Sequence, residues 1–177
     1  KNHVDLALDI QGKDVHLLAS HPTPPGFDGD EDRNGKRNAD EVKFWLDYIN
    51  GASYFVDDLG GQGGLGADAH FVIVGDLNLD PVDGDAISDP MVAILSHERV
   101  APLEPRSVGG AEAAAAQGGA NAGHTGDPAM DTGDFSDNVV GNLRVDYAIP
   151  SKSLNPIDTG VFWPSASDAD AELADAS

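Results

Sequence analysis

The sequence predicts a mixed α/β domain, on three observations: an opening pair of alternating strands, one amphipathic helix, and a continuous apolar strand that ends in glycine and acid. In the opening pair, Val4, Leu6, Leu8 and Ile10 alternate with His3, Asp5, Ala7 and Asp9. Gln11-Gly12-Lys13 then turns the chain into a second strand over 14–20, which reads as a hairpin. That strand runs through Ser20-His21 into Pro22-Thr23-Pro24-Pro25-Gly26, where prolines stop it, so His21 opens a rigid loop. A helix is expected over 38–50, with Asn38 as its cap and Glu41 in capping-box register. Val42, Trp45, Leu46 and Ile49 form its apolar stripe, and Gly51 is its stop.

Residues 57–69 read as a glycine-rich surface loop, followed by Phe71-Val72-Ile73-Val74, an apolar run typical of a buried strand. A short helix over 89–96 carries Met91, Ile94 and Leu95. Residues 104–137 form a low-complexity insertion with a helical turn over 111–117, a length of loop that is either functional or mobile. Residues 143–149 alternate again as a strand that places Arg144 and Asp146 on one face, opposite Val145 and Tyr147. Val161-Phe162-Trp163 packs as a short extended piece. The expected organisation is thus one domain over 1–164, holding the insertion, and an acidic tail over 165–177.

Charge narrows the partners. Among 177 residues there are 31 acids and 10 bases, for a net charge of -21, and 25 of the acids are Asp. Asp favours turns and caps over helix interiors, so many ordered loops are expected. No basic stripe exists to neutralise a nucleic-acid backbone; Arg33, Lys36 and Arg37 form the one basic cluster, and acids surround it. A small phosphate ester therefore fits better than polymeric DNA. Cysteine is absent, which excludes disulfides and thiolate zinc sites. The charge and the missing cysteine favour an extracellular or periplasmic setting.

Three places carry candidate chemistry. Asp76 and Asn78 stand two apart in Gly75-Asp76-Leu77-Asn78, at the end of the apolar strand. If the extended geometry persists, both project from one face, a carboxylate for a cation or water and an amide for a phosphoryl oxygen. An ordinary Asp-x-Asn turn is the alternative. His21, at the end of another strand, has the chemistry of a phosphate donor or general acid. Asp146 can orient a histidine or a metal-bound water. A separate pattern, Asp30-Glu31-Asp32-Arg33-Asn34-Gly35 continuing to Glu41, matches a calcium loop. Its oxygens would come from Asp30, Asp32, Asn34, the Lys36 carbonyl and Glu41. Lys36 and Arg37 are alternatively placed to face a substrate phosphate. His124, Asp127, Asp131 and Asp134 match no defined metal spacing.

A strand ending in Ser-His, an amphipathic helix, an apolar strand ending in Gly-Asp-Leu-Asn, and a late Arg-Val-Asp-Tyr strand occur in that order. Together with HPTPP, DRNGKRN and GVFWP they resemble the endonuclease/exonuclease/phosphatase superfamily, in particular its bacterial phytase-like or phosphatase-like members. The resemblance implies a DNase I-like four-layer α/β/β/α sandwich with mixed, mostly antiparallel sheets, of which these residues supply the C-terminal half. It implies that His21 contacts phosphate, that Asp76 and Asn78 handle metal, water and the phosphoryl group, and that Asp146 supports the site. It also implies a divalent cation, Mg or Ca, and phosphate-ester hydrolysis. The family's metal-binding Glu and its closing Asp-His pair have no counterpart here, so the missing half is expected from a longer chain or another chain. The rival expectations are a non-catalytic calcium-stabilised module and a nuclease of the same superfamily.

Overall fold

In a computed structural model, described here for residues 1–174, the opening hairpin forms as read. Strands β1 (His3–Ile10) and β2 (Lys13–Ser20) pair antiparallel, with Ile10 opposite Lys13. Gln11 and Gly12 turn at positive φ, and the Asp9 carboxylate accepts the Gly12 amide at 2.7 Å. The chain then crosses through helix α1 (Arg33–Ile49) to β3 (His70–Asp76), which runs parallel to β2. A crossover helix is the usual way to join parallel strands. Strand β6 (Asp146–Pro150) closes the sheet antiparallel to β3, giving the order β1-β2-β3-β6. The sheet is mixed and mostly antiparallel. The short strands β4 (Gly133–Asp134) and β5 (Asn142–Leu143) make a separate ladder.

Helix α1 begins five residues before the expected start. Asp28, in the preceding loop, accepts the Asn34 amide and so satisfies an early helix N–H from outside the helix. Asn38 is consequently interior to the helix and fully buried. The stripe Val42, Trp45 and Ile49 packs with α2 (Asp89–Leu95), through Met91 and Ile94, over Leu18, Phe71, Ile73, Tyr147 and Ile149 of the sheet. Trp45 and Phe71 are the largest side chains in this core. Full burial of each such apolar side chain contributes about 1.5–3 kcal/mol.

The other face of the sheet is open. Strand register places Val4, Leu6, Leu17, Ala19, Val72, Val74 and Ala148 on it together. Val4, Leu6 and Ile10 are each 50% exposed. One helical layer and one sheet of the expected sandwich are therefore present in these residues.

The insertion is ordered. Helix α3 (Val108–Gln117) is capped by Ser107, whose hydroxyl accepts the Gly110 amide at 3.1 Å. Residues 163–165 strap over it: a Cβ on Gly109 would lie 2.2 Å from the Pro164 carbonyl oxygen, so only glycine fits. The acidic tail does not begin free at 165. Ser165 is buried and donates to Glu112 at 2.7 Å, and Asp168 accepts the Ser165 amide at 2.8 Å. The last three residues of the expected tail lie outside the described residues. The late strand is also not continuous over 143–149. Arg144 leaves the ladder to place its guanidinium over the Tyr147 ring, and β6 starts at Asp146.

Candidate active site

Strand β2 ends at Ser20, β3 ends at Asp76, and β6 begins at Asp146, so all three deliver their flanking residues to one end of the sheet. Asp76 and Asp146 are direct partners across the antiparallel ladder, which puts both carboxylates on the open face, at its rim. His21 reaches the same place, with Nε2 3.5 Å from Asp76 Oδ2. His21 and Asp76 remain solvent-accessible, as residues that meet a ligand must.

This convergence needs close backbone approach. A Cβ on Gly75 would sit 2.0 Å from the Ser20 carbonyl oxygen, and Gly75 has φ 138, so this position admits only glycine. The extended geometry does not persist past Asp76. Asn78 adopts φ 50, and its amide donates to Asp76 Oδ1 at 2.9 Å in an Asx turn. Asn78 still reaches the site by another route: its Nδ2 donates to the Pro22 carbonyl at 3.1 Å, beside His21. One amide hydrogen is left for another acceptor.

Several further residues position the site loops. Asn38 donates to the carbonyls of Thr23 at 2.8 Å, Leu77 at 3.0 Å and Asn78 at 3.2 Å, and so ties α1 to both site loops. Trp45 Nε1 donates to Ser20 Oγ at 2.8 Å, fixing the residue before His21. The Thr132 hydroxyl accepts the amides of Val145 at 3.0 Å and Asp146 at 2.9 Å, which joins the insertion to the site. Asp80 accepts from Val82, Asp83 and Arg144 amides at 2.7, 2.9 and 2.7 Å, locking the loop after Asn78 to the entry of β6.

Burial, and next the neighbouring Asp76 charge, hold the Asp146 carboxyl above its ordinary range. Two carboxylates facing each other across a ladder are mutually destabilising, and a cation between them would relieve that repulsion. Magnesium is held by one or two protein carboxylates, with water and phosphate completing its shell, so this pair with Asn78 beside it fits such an ion. Among the described residues, no group of three or more carboxylates and imidazoles is placed to hold a metal ion.

The Asp30–Glu41 segment is not a calcium loop in this structure. Residues 33–41 are helical, so the Lys36 carbonyl is taken up in α1 rather than turned toward a shared centre. Glu41 is engaged elsewhere, since its carboxylate accepts the Thr23 amide at 2.6 Å and Arg37 Nε at 3.0 Å. Burial alone would raise its pKa, but these hydrogen bonds outweigh burial and hold it below the usual value. Glu41 is also not the third residue of a capping box, since the helix starts at Arg33. Asp32 is left-handed at the helix start, and Asn34 Nδ2 donates to the Gly26 carbonyl at 2.9 Å. Asp30 makes no side-chain hydrogen bond among the described residues. Lys36 donates to the Glu31 carbonyl, and Arg37 is paired within its own helix.

Comparison with known proteins agrees with the architecture. The Endonuclease/Exonuclease/phosphatase family model matches residues 13–168. The chain belongs to this family, whose members are hydrolases of phosphoester bonds that typically use divalent cations. Its backbone is similar to the crystal structure of sphingomyelinase C from Streptomyces griseocarneus, at 17% identity and a TM-score of 0.45 over 84% of this chain and 41% of that one. The chain thus spans less than half the length of that protein. No curated protein sequence matches. No helix among the described residues is long and apolar enough to cross a membrane.

Proposed function

We propose that these residues form the phosphate-binding half of a metal-dependent phosphoesterase acting on small phosphate esters. The observation that carries this reading is the convergence of His21, Asp76 and Asp146 at one rim of the open sheet face, with Asn78 held beside them. His21 and the free amide hydrogen of Asn78 donate to phosphoryl oxygens, where charge develops as the ester bond breaks. Asp76 accepts a proton from, or orients, the attacking water, and His21, with Nε2 3.5 Å from Oδ2, holds that carboxylate in place. Asp76 and Asp146 would hold a divalent cation, which would supply Lewis-acid stabilisation of the same charge. Thr132 and Asn38 act by holding Asp146 and Asn78 in place.

The open apolar face supports a second sheet covering it, from a longer chain or another one, so that the site lies at the seam between two layers. The net charge of -21 supports a small ester over polymeric DNA. The test is hydrolysis of bis-p-nitrophenyl phosphate and p-nitrophenyl phosphate by the full-length protein with Mg or Ca. Asp76→Ala is expected to lower kcat by at least about a hundredfold with an unchanged melting temperature. Wild-type turnover in that folded variant would overturn the assignment.

A further inference from the structure

Away from the sheet rim, the ordered insertion and Asp83 line a half-open cavity of about 300 Å³. Its walls are small: Ala111, Ala114 and Ala115 of α3 on one side and Pro128 on another. Its polar groups are Asn121, His124 and two acids, Asp83 and Asp131. The acids differ in what they already hold. Asp83 is committed, accepting the Thr125 and Gly126 amides at 2.9 Å each. Asp131 is only 6% exposed and lines the cavity, yet no donor among the described residues bonds its carboxylate. A largely buried carboxylate with no hydrogen-bond donor is costly to ionise, and this one stands at the wall of the pocket.

We propose that this cavity is a binding site for a small organic ammonium ion, with Asp131 as the counter-ion and the alanine and proline walls holding a short hydrocarbon body. The ligand's sign follows from the lining, which carries two acids and no lysine or arginine. An organic cation is favoured over a metal ion because no three-donor group is placed here among the described residues. It is also favoured by the volume, which lies at the lower end of small-molecule sites and is far larger than one ion needs. Burial, then the Asp80 charge behind it and Asp83 beside it, push Asp131 up to about 6, against the opposing influence of His124. A bound cation offsets that cost of ionisation.

The test is calorimetric titration of the full-length protein at pH 7.5 with butylammonium, using butan-1-ol and butyrate as equal-sized controls. Butylammonium is expected to bind one to one in the millimolar range, at least about tenfold tighter than butanol, with no binding of butyrate. Asp131→Asn is expected to reduce butylammonium affinity to that of butanol. Ala111→Leu, which fills the cavity and leaves Asp131 intact, is expected to abolish binding of both, and decides the matter if Asp131→Asn does not fold. Equal affinity for butanol and butylammonium would overturn the proposal. So would undiminished binding by either folded variant, or displacement of butylammonium by stoichiometric calcium.

Discussion

At Gly75 a methyl group meets a carbonyl oxygen, and at Thr132 one hydroxyl serves two amides; these contacts make the rim of the sheet sensitive to single atoms. Gly75→Ala must push β3 away from Ser20 and bear positive φ, at a cost of about 2–4 kcal/mol. Urea denaturation is expected to show a matching loss of midpoint. Thr132→Val keeps the shape but strands two amide donors, at about 1–3 kcal/mol, and frees Asp146 to shift. We expect kcat to fall more than the stability loss explains, and Thr132→Ser to restore both. At this scale the sequence is legible where chemistry and chain position coincide, as with His21 and Asp76 at strand ends. Asn38 reads as a cap because Asn favours caps, and it is not one. The signal against that reading is present: the stripe Val42, Trp45 and Ile49, continued back one helical turn, lands on residue 38. A polar residue on an apolar stripe marks a buried hydrogen-bonding role.

Strands and the central helix are legible because each has a period: two for β1, and about three and a half for α1. The boundaries are not, because they are set by residues elsewhere in the chain. Asp28 starts α1 from outside, and the Arg144 side chain leaves the ladder for Tyr147. The insertion is the clearest case. Its composition carries almost no period, and its order comes from a cap at Ser107 and a strap from residues 163–165 that lie far along the chain. Ser107→Ala is expected to cost about 1 kcal/mol of stability, measured by thermal melting, while Ser107→Asp leaves it nearly unchanged.

For the whole molecule, two pH effects oppose each other. Asp131 binds its proton more tightly folded than unfolded, with a pKa raised by burial and then by Asp80. Its favourable contribution is therefore full below about pH 4 and is lost as pH rises through about 6. Glu41 has a lowered pKa, because hydrogen bonds from Thr23 and Arg37 outweigh its burial. Its contribution is present at neutral pH and is lost as pH falls below the ordinary glutamate value. Urea midpoints measured against pH are expected to peak between about 4 and 6, and Asp131→Asn is expected to flatten the alkaline side of that peak. The 31 acids against 10 bases repel one another throughout, so added sodium chloride is expected to raise the melting temperature.

The ladder that pairs Asp76 with Asp146 joins strands separated by most of the middle of the chain, whereas β1 and β2 meet across a two-residue turn. Loop-closure entropy makes the hairpin early and cheap in time, and makes the β3–β6 pairing slow. The two carboxylates can come together only once that distant pairing has formed. In a refolding experiment, recovery of any function that needs both acids should lag behind recovery of helix signal. Any function that needs both acids thus reports when the distant pairing has closed, and molecules without it are silent.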